Sequence, residues 1–313
     1  MKRQHILASV MAMALVVTGA ACGDDDDDDD AATSEGEEVT EREGPTVQIG
    51  TQDFGESAIL AEIYSQALEA DGFQAEIVEV GGFRDLLFES FDNGDVNLAP
   101  DYVASQLNFL EPGTATSDVE ESLDALRPLL EEQGLAALEP SEAVDTNTFV
   151  MLTDTADETG IASLSDLAEN GADLSLGAPP DCEENAFCLP GLQEVYGLDM
   201  SGNFTPLELD LIPTSLEEGA IDVGVFLSTS GRLTEEQFLV LEDDEGLLAA
   251  DNVFPVASQE LVDAYEGDLD ALLDSVSAEL DTDGLIELNA RYDIDGDEPE
   301  DIAAEWLADH GLV

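Results

Sequence analysis

The chain has 313 residues, 43% of them hydrophobic, and carries 75 Asp and Glu against 7 Lys and Arg, a formal net charge of −68. That balance excludes nucleic acid as a partner, since nothing could neutralise the phosphates, and an anionic membrane surface would repel it. The roughly 265 residues beyond the acidic N-terminal stretch exceed one typical core and point to two modest domains.

The N-terminus opens with Met1-Lys2-Arg3, then an apolar run from Ile6 to Val17, then the small residues Thr18 to Ala21 and Cys22. A positive start, a short apolar stretch and a small-residue site describe a secretory signal peptide over residues 1–22. The apolar run is too short to stay in a bilayer as a spanning helix. Cys22 resembles a bacterial lipobox cysteine, although Gly19 stands where leucine is usual. Lipidation of Cys22 is expected; ordinary cleavage near Ala21 is the other reading. The Asp24–Asp30 run and the residues up to 45 form an acidic linker, because like charges in sequence stay extended.

Thr46 to Gly50 alternates as a short strand, and Ala58 to Ala70 carries Ile59, Ile63, Ala67 and Leu68 at helical spacing, stopped by Gly72. Gln74–Val80 is a strand, Phe83–Asn93 a helix, and Val96–Ala99 a strand ending at Pro100-Asp101-Tyr102. This β-α-β-α-β order predicts a parallel sheet flanked by helices. After a helix at Val119–Gln133 the pattern resumes. Strands are expected at Thr148–Thr153, Leu174–Ala178, Ile221–Phe226 and Leu239–Leu241, with short helices at Ser163–Glu169, Pro190–Tyr196 and Ser215–Gly219. Asn252–Ala257 leads back, and the C-terminus is helical in four pieces: 259–265, 269–280, 282–289 and 299–309. Two similar α/β lobes emerge. Asp293 to Asp297 reads as a turn, because its glycine falls too early for a calcium-binding loop. Trp306 shares a helix face with Ile302 and reads as core.

No catalytic constellation is legible. The two histidines are His5 and His310, and no nucleophile elbow, phosphate loop or dinucleotide fingerprint occurs. An enzyme, a cofactor and a metal are therefore not expected. Cys182 and Cys188 lie close together, and outside the cell such a pair is expected to form a disulfide. The acidity fits a salty medium, where the Debye length falls to roughly 3 Å at 1 M; a generally acidic extracellular protein is the other reading.

Several segments resemble one family. Val47-Gln48-Ile49-Gly50-Thr51-Gln52-Asp53-Phe54-Gly55-Glu56-Ser57, followed by Ile59-Leu60-Ala61-Glu62, is similar to the opening of the glycine betaine/choline/carnitine-binding proteins of ABC importers (the OpuAC/ProX type). Pro100-Asp101-Tyr102, Asp145-Thr146-Asn147-Thr148-Phe149, Ser163 to Leu167, Gly191-Leu192 through Tyr196-Gly197-Leu198, and Asn252 to Val256 resemble further blocks in the same order. The resemblance implies a type II periplasmic-binding-protein fold, with a hinge and an interlobe ligand cleft. Lobe one would be 46–148 plus 253–313, and lobe two 149–252. It implies a monomer outside the cell, tethered to the outer face of the cytoplasmic membrane, that delivers a small solute to ABC permease subunits.

Carried over by position, the ligand contacts would come from Thr51, Gln52, Asp53 and Phe54; from Asp101 and Tyr102; from Asn147, Thr148 and Phe149; and from Asn185, Ser228 and Thr229. Tyr102 matches a cage tyrosine whose π-face attracts a quaternary ammonium. Phe149, Leu227 and the position near Pro213 depart from the aromatic pattern. Gln52 and Asn185 stand where the family has basic groups for a carboxylate, so neutral donors replace charged ones. A cation without a carboxylate, or a neutral polar solute, stays open as the cargo.

Overall fold

A computed structural model describes residues 41–313. The leader, Cys22 and the spacer up to residue 40 lie outside the described residues. The first lobe is built from β1 (Val47–Thr51), α1 (Gly55–Ala70), β2 (Ala75–Glu79), α2 (Arg84–Asn93), β3 (Leu98–Tyr102), α3 (Val103–Leu110), α4 (Val119–Glu131) and β4 (Leu135–Ala137). The second contains β5 (Asn147–Leu152), α5 (Thr153–Thr159), α6 (Leu164–Asn170), β6 (Leu176–Ala178), α7 (Leu189–Val195), β7 (Phe204–Pro206), α8 (Ile212–Glu217), β8 (Val223–Leu227) and β9 (Phe238–Val240). The chain then returns through β10 (Val253–Ser258) to α9 (Gln259–Ala264), α10 (Asp268–Ser277), α11 (Thr282–Ala290) and α12 (Pro299–His310).

The two sheets have matching orders, β2-β1-β3-β10-β4 and β7-β6-β8-β5-β9. In each, the fourth strand is the one that has just arrived from the other lobe, and it runs antiparallel to its inner neighbour. The remaining inner pairs are parallel, which requires helical crossovers and helices on both faces. In β1 the alternation sends Val47 and Ile49 to a core beneath α1, α10 and α12. Gly50 faces the opposite core, where a Cβ would stand 2.7 Å from Leu87 and 2.9 Å from Val96. Only glycine lets those side chains approach the strand so closely.

Helix ends follow local chemistry. The Asp118 side chain accepts from the Glu121 amide and opens α4, and Ser163 accepts from the Asp166 amide and opens α6. Gly94, with φ 74°, ends α2 in the left-handed conformation. Asp293 lies in a single wide helical turn, Arg291–Asp295, closed by Gly296. Trp306 is buried beside Ile302 in the first-lobe core.

Two chain crossings join the lobes, and they pair with each other. The Val253 amide donates to the Ala143 carbonyl at 2.9 Å, the Asp145 amide donates to the Asp251 carbonyl at 3.0 Å, and Val144 and Asn252 form an antiparallel bridge. A third contact is made where the loop after β8 meets α11. There Asn289 Nδ2 donates to the Thr229 carbonyl at 2.8 Å.

Candidate functional site

In open α/β sheets, ligands bind beyond the carboxyl ends of the strands, where strand order reverses. β1 ends at Thr51 and β3 at Tyr102, and Gln52 and Tyr102 at these ends line the same cavity as the second lobe's Leu227, the last residue of β8. Between them lie two neighbouring cavities of about 620 and 460 Å³ that share Phe54, Asp145, Leu209 and Leu227. Together they form one cleft between the lobes.

Five of the sequence-derived candidates meet in the larger cavity: Gln52, Phe54, Tyr102, Asn147 and Asn185. Thr229 lines the smaller one with Phe54. Thr51 and Asp53 line an adjoining groove of about 330 Å³ that reaches Glu79 and Tyr292. The others do not face the cleft. Asn147, Phe149 and Met151 share one face of β5, and the strand carries Phe149 below the cleft rim into the second-lobe core, fully buried. Thr148 is buried on the opposite face of β5. Ser228 holds the crossing: its hydroxyl donates to the Val144 carbonyl at 2.7 Å and accepts from the Thr146 amide at 2.9 Å.

Asp101 lies beneath the site, completely buried, and is bound by Arg84, whose Nη2 donates at 2.5 Å and whose Nε donates to both carboxylate oxygens at 3.1 Å. Arg84 lines the larger cavity. The two anchor positions are neutral, as Gln52 and Asn185, but the same cavity also holds a guanidinium, delivered by the first residue of α2. Its Nη1 bonds no residue among those described. The signal was available in the chain, because Arg84 is the only basic residue between Arg42 and Arg127 and opens a helix at the carboxyl edge of the sheet.

The aromatic lining is also richer than position-by-position carry-over implied. Phe83 and Phe187 join Phe54 and Tyr102 around the larger cavity. The Phe54 and Tyr102 rings stand 6.3 Å apart and tilt by 34°. Gln52 Nε2 is buried without a hydrogen-bond partner, a costly condition that an incoming acceptor would relieve. The segment bearing Asn185 and Phe187 is clamped by a disulfide between Cys182 and Cys188, with Cα atoms 5.2 Å apart.

The family model described as the substrate-binding domain of the ABC-type glycine betaine transport system matches residues 45–309. The chain belongs to this family. It is 27% identical over 278 residues to a glycine-betaine-binding protein of Pseudomonas aeruginosa, covering 86% of this chain and 89% of that one. It is 26% identical over 268 residues to the carnitine transport binding protein OpuCC of Listeria monocytogenes, covering 84% and 86%. A crystal structure described as a glycine betaine/carnitine/choline ABC transporter superposes with a TM-score of 0.77 at 23% identity, over 85% of this chain and 99% of the other. The fold is thus the two-lobed type II architecture. The family serves transport, and its members are not an enzyme family.

Within this substrate-binding domain, four cleft groups were not singled out as site residues in the sequence. Glu56, in the first turn of α1, is buried and accepts from Tyr102 Oη at 2.5 Å and from Asn289 Nδ2 at 2.5 Å. Asp145, in the first crossing, accepts from Thr229 Oγ1 at 2.9 Å. Asp251, in the second crossing, accepts from the Ser105 amide at 2.8 Å and its hydroxyl at 2.5 Å. Burial pushes the Asp251 carboxyl up to about 6, against the pull of the Ser105 bonds and the Arg84 charge. Asn289, from α11, ties Glu56 to the Thr229 carbonyl. Glu56 and Asn289 come from helices 233 residues apart in sequence, so no local pattern could have joined them.

No helix among the described residues is long and apolar enough to cross a membrane.

Proposed function

We propose that the protein captures a quaternary ammonium solute of the glycine betaine, carnitine or choline class between its lobes and presents it to the permease of an ABC importer. The observation that carries this reading is the larger cavity. Four aromatic rings surround it, and a partnerless buried amide, Gln52 Nε2, and an arginine, Arg84, reach its wall. Rings attract a cation that has no N–H to donate. An amide and a guanidinium suit a carboxylate, the guanidinium more strongly. The names of the relatives, a glycine-betaine-binding protein and a carnitine transport binding protein, point the same way. Capture would work by differential affinity: a solute touching both lobes stabilises the closed arrangement over the open one. The protein then does no chemistry of its own.

Around this site we place the lobe boundary at the two crossings, so that lobe two begins ahead of β5 (Asn147–Leu152) rather than after 148 and ends before β10 (Val253–Ser258). The contacts from Thr51, Asp53, Asn147, Asn185 and Thr229 would be made or completed on closure. Lipidation at Cys22 would hold a monomer at the outer face of the cytoplasmic membrane on an acidic spacer. Mass spectrometry of the membrane fraction reads the lipid directly.

The test of the cargo is calorimetric titration with glycine betaine, carnitine, choline, proline and glucose, backed by thermal melts. A bound solute at a hundred times its dissociation constant adds about 2.7 kcal/mol of stability. Binding of at least one quaternary ammonium with a raised melting point is expected. Binding of proline or glucose in the absence of any quaternary ammonium would refute the assignment.

A further inference from the structure

We infer that Glu56 and Asp145 form an anionic pole where the smaller cavity adjoins the larger one at Phe54 and Asp145, that this pole takes the cationic head group, and that seating the cation there expels a proton the pair otherwise holds. The inference rests on the reading that the solute binds between the lobes; it adds which groups select its charge and what leaves when it enters.

Both carboxyls line the cavity of about 460 Å³, alongside the rings of Phe54 and Phe226. Their partners are neutral: Tyr102 Oη, Asn289 Nδ2 and the Thr229 hydroxyl for Glu56, and the Thr229 hydroxyl and backbone amide for Asp145. Among the described residues, neither forms an ion pair. The charged groups that face them do not supply one. Asp293 from the turn after α11, Asp210 from the second-lobe rim and Asp251 from the second crossing are all acidic. Arg232 borders the same cavity, but its guanidinium holds Glu217 at 2.9 Å and Glu235 at 2.6 Å. Arg84, which lines the larger cavity, is held by Asp101. A cavity wall with two buried carboxyls and no counter-ion is an expensive place for negative charge.

An empty cleft meets that cost by keeping a proton. Burial pushes both the Glu56 and the Asp145 carboxyl up, and the charge of Glu56 pushes Asp145 further. A quaternary ammonium entering beside them supplies the missing charge and favours the doubly ionised pair. The proton then passes to solvent, so charge balances: one cation in, up to one proton out. The sign follows. Cation affinity is greatest above the titration range of the pair and falls as pH drops through it. A neutral solute of the same shape gains nothing from ionisation and releases nothing.

Calorimetric titration of the whole protein with choline, at several pH values from about 5.5 to about 8 and at each in two buffers that both hold that pH but differ in ionisation enthalpy, reads this directly. The apparent binding enthalpy should differ between the two buffers by their ionisation enthalpies times the protons released. Affinity should rise with pH, by at most about tenfold per unit. Glu56→Gln and Asp145→Asn should each abolish the buffer difference and weaken choline about tenfold or more, with thermal melts checking that the variants are folded. The isostere with carbon in place of the ammonium nitrogen should show no proton release. The wild-type buffer comparison decides even if a variant misfolds. Choline binding with equal enthalpy in both buffers overturns the anionic pole alone. Failure of every quaternary ammonium to bind at any pH removes the cargo assignment and this inference together.

Discussion

Replacing Arg84 with methionine isolates the most heavily buried charge pair in the cleft. Asp101 has no exposed surface, and its partners are the Arg84 guanidinium, bound through two nitrogens, and the Tyr102 amide at 2.8 Å. The variant keeps most of the side-chain bulk and strips the counter-charge. Breaking a buried pair from one side costs about 3–5 kcal/mol. The Arg84 side chain is 19% exposed and the amide of Tyr102 stays in place, so the low end applies, about 3 kcal/mol. For a chain of this size that lowers the melting midpoint by about 5 °C. The double variant Arg84→Met with Asp101→Asn removes the orphaned charge and should recover most of the loss. Scanning calorimetry of wild type, both single variants and the double, without solute, gives the coupling energy. An Arg84→Met midpoint within the error of wild type, or a double variant no more stable than Arg84→Met alone, would refute the reasoning. Arg84→Lys should rescue only in part, since an ammonium cannot reproduce the two-nitrogen grip.

Two further outcomes are expected. Asp251 has its folded pKa raised to about 6, so the folded state holds a proton that the unfolded chain has already lost. Wild-type stability should therefore fall by about 2 kcal/mol as pH rises from about 4 to about 7, relative to Asp251→Asn, which has nothing to ionise; parallel pH dependences of the two urea midpoints would contradict this. In addition, all five arginines of the described residues are already engaged by carboxylates, and most of the other acids of the described residues form no ion pair within the protein. The melting midpoint should climb from about 0.1 M to about 1 M NaCl as the screening length shrinks from about 10 to about 3 Å, and a flat profile would sink the halophilic reading.

The architecture was legible because its signals are local. Alternation from Thr46 to Gly50 and the helical spacing of Ile59, Ile63 and Ala67 each depend on a few neighbouring residues. Short elements were less visible. The helix Val103–Leu110 follows directly on a strand, and β7 is only three residues long, so neither has room for a period to show. The site was half legible. Gln52, Phe54 and Tyr102 sit at strand ends, where the topology alone directs them to the cleft. Phe149 misled because its residue type suits a ring cage, yet its depth along β5 decides its place. Glu56 and Asp145 could not be picked out by type among 75 acidic residues; only burial distinguishes them.

The paired crossings have a mechanical consequence. Two single-strand linkers would act as a loose swivel, letting one lobe roll, twist and slide against the other. Bonded side by side through Ala143–Val253 and Asp145–Asp251, they form a ribbon, which flexes easily about one axis and resists shear along the other. The lobes are thereby steered along a single arc, and a solute of the right shape has only to arrest that swing for the whole molecule to present one outline to its receiver.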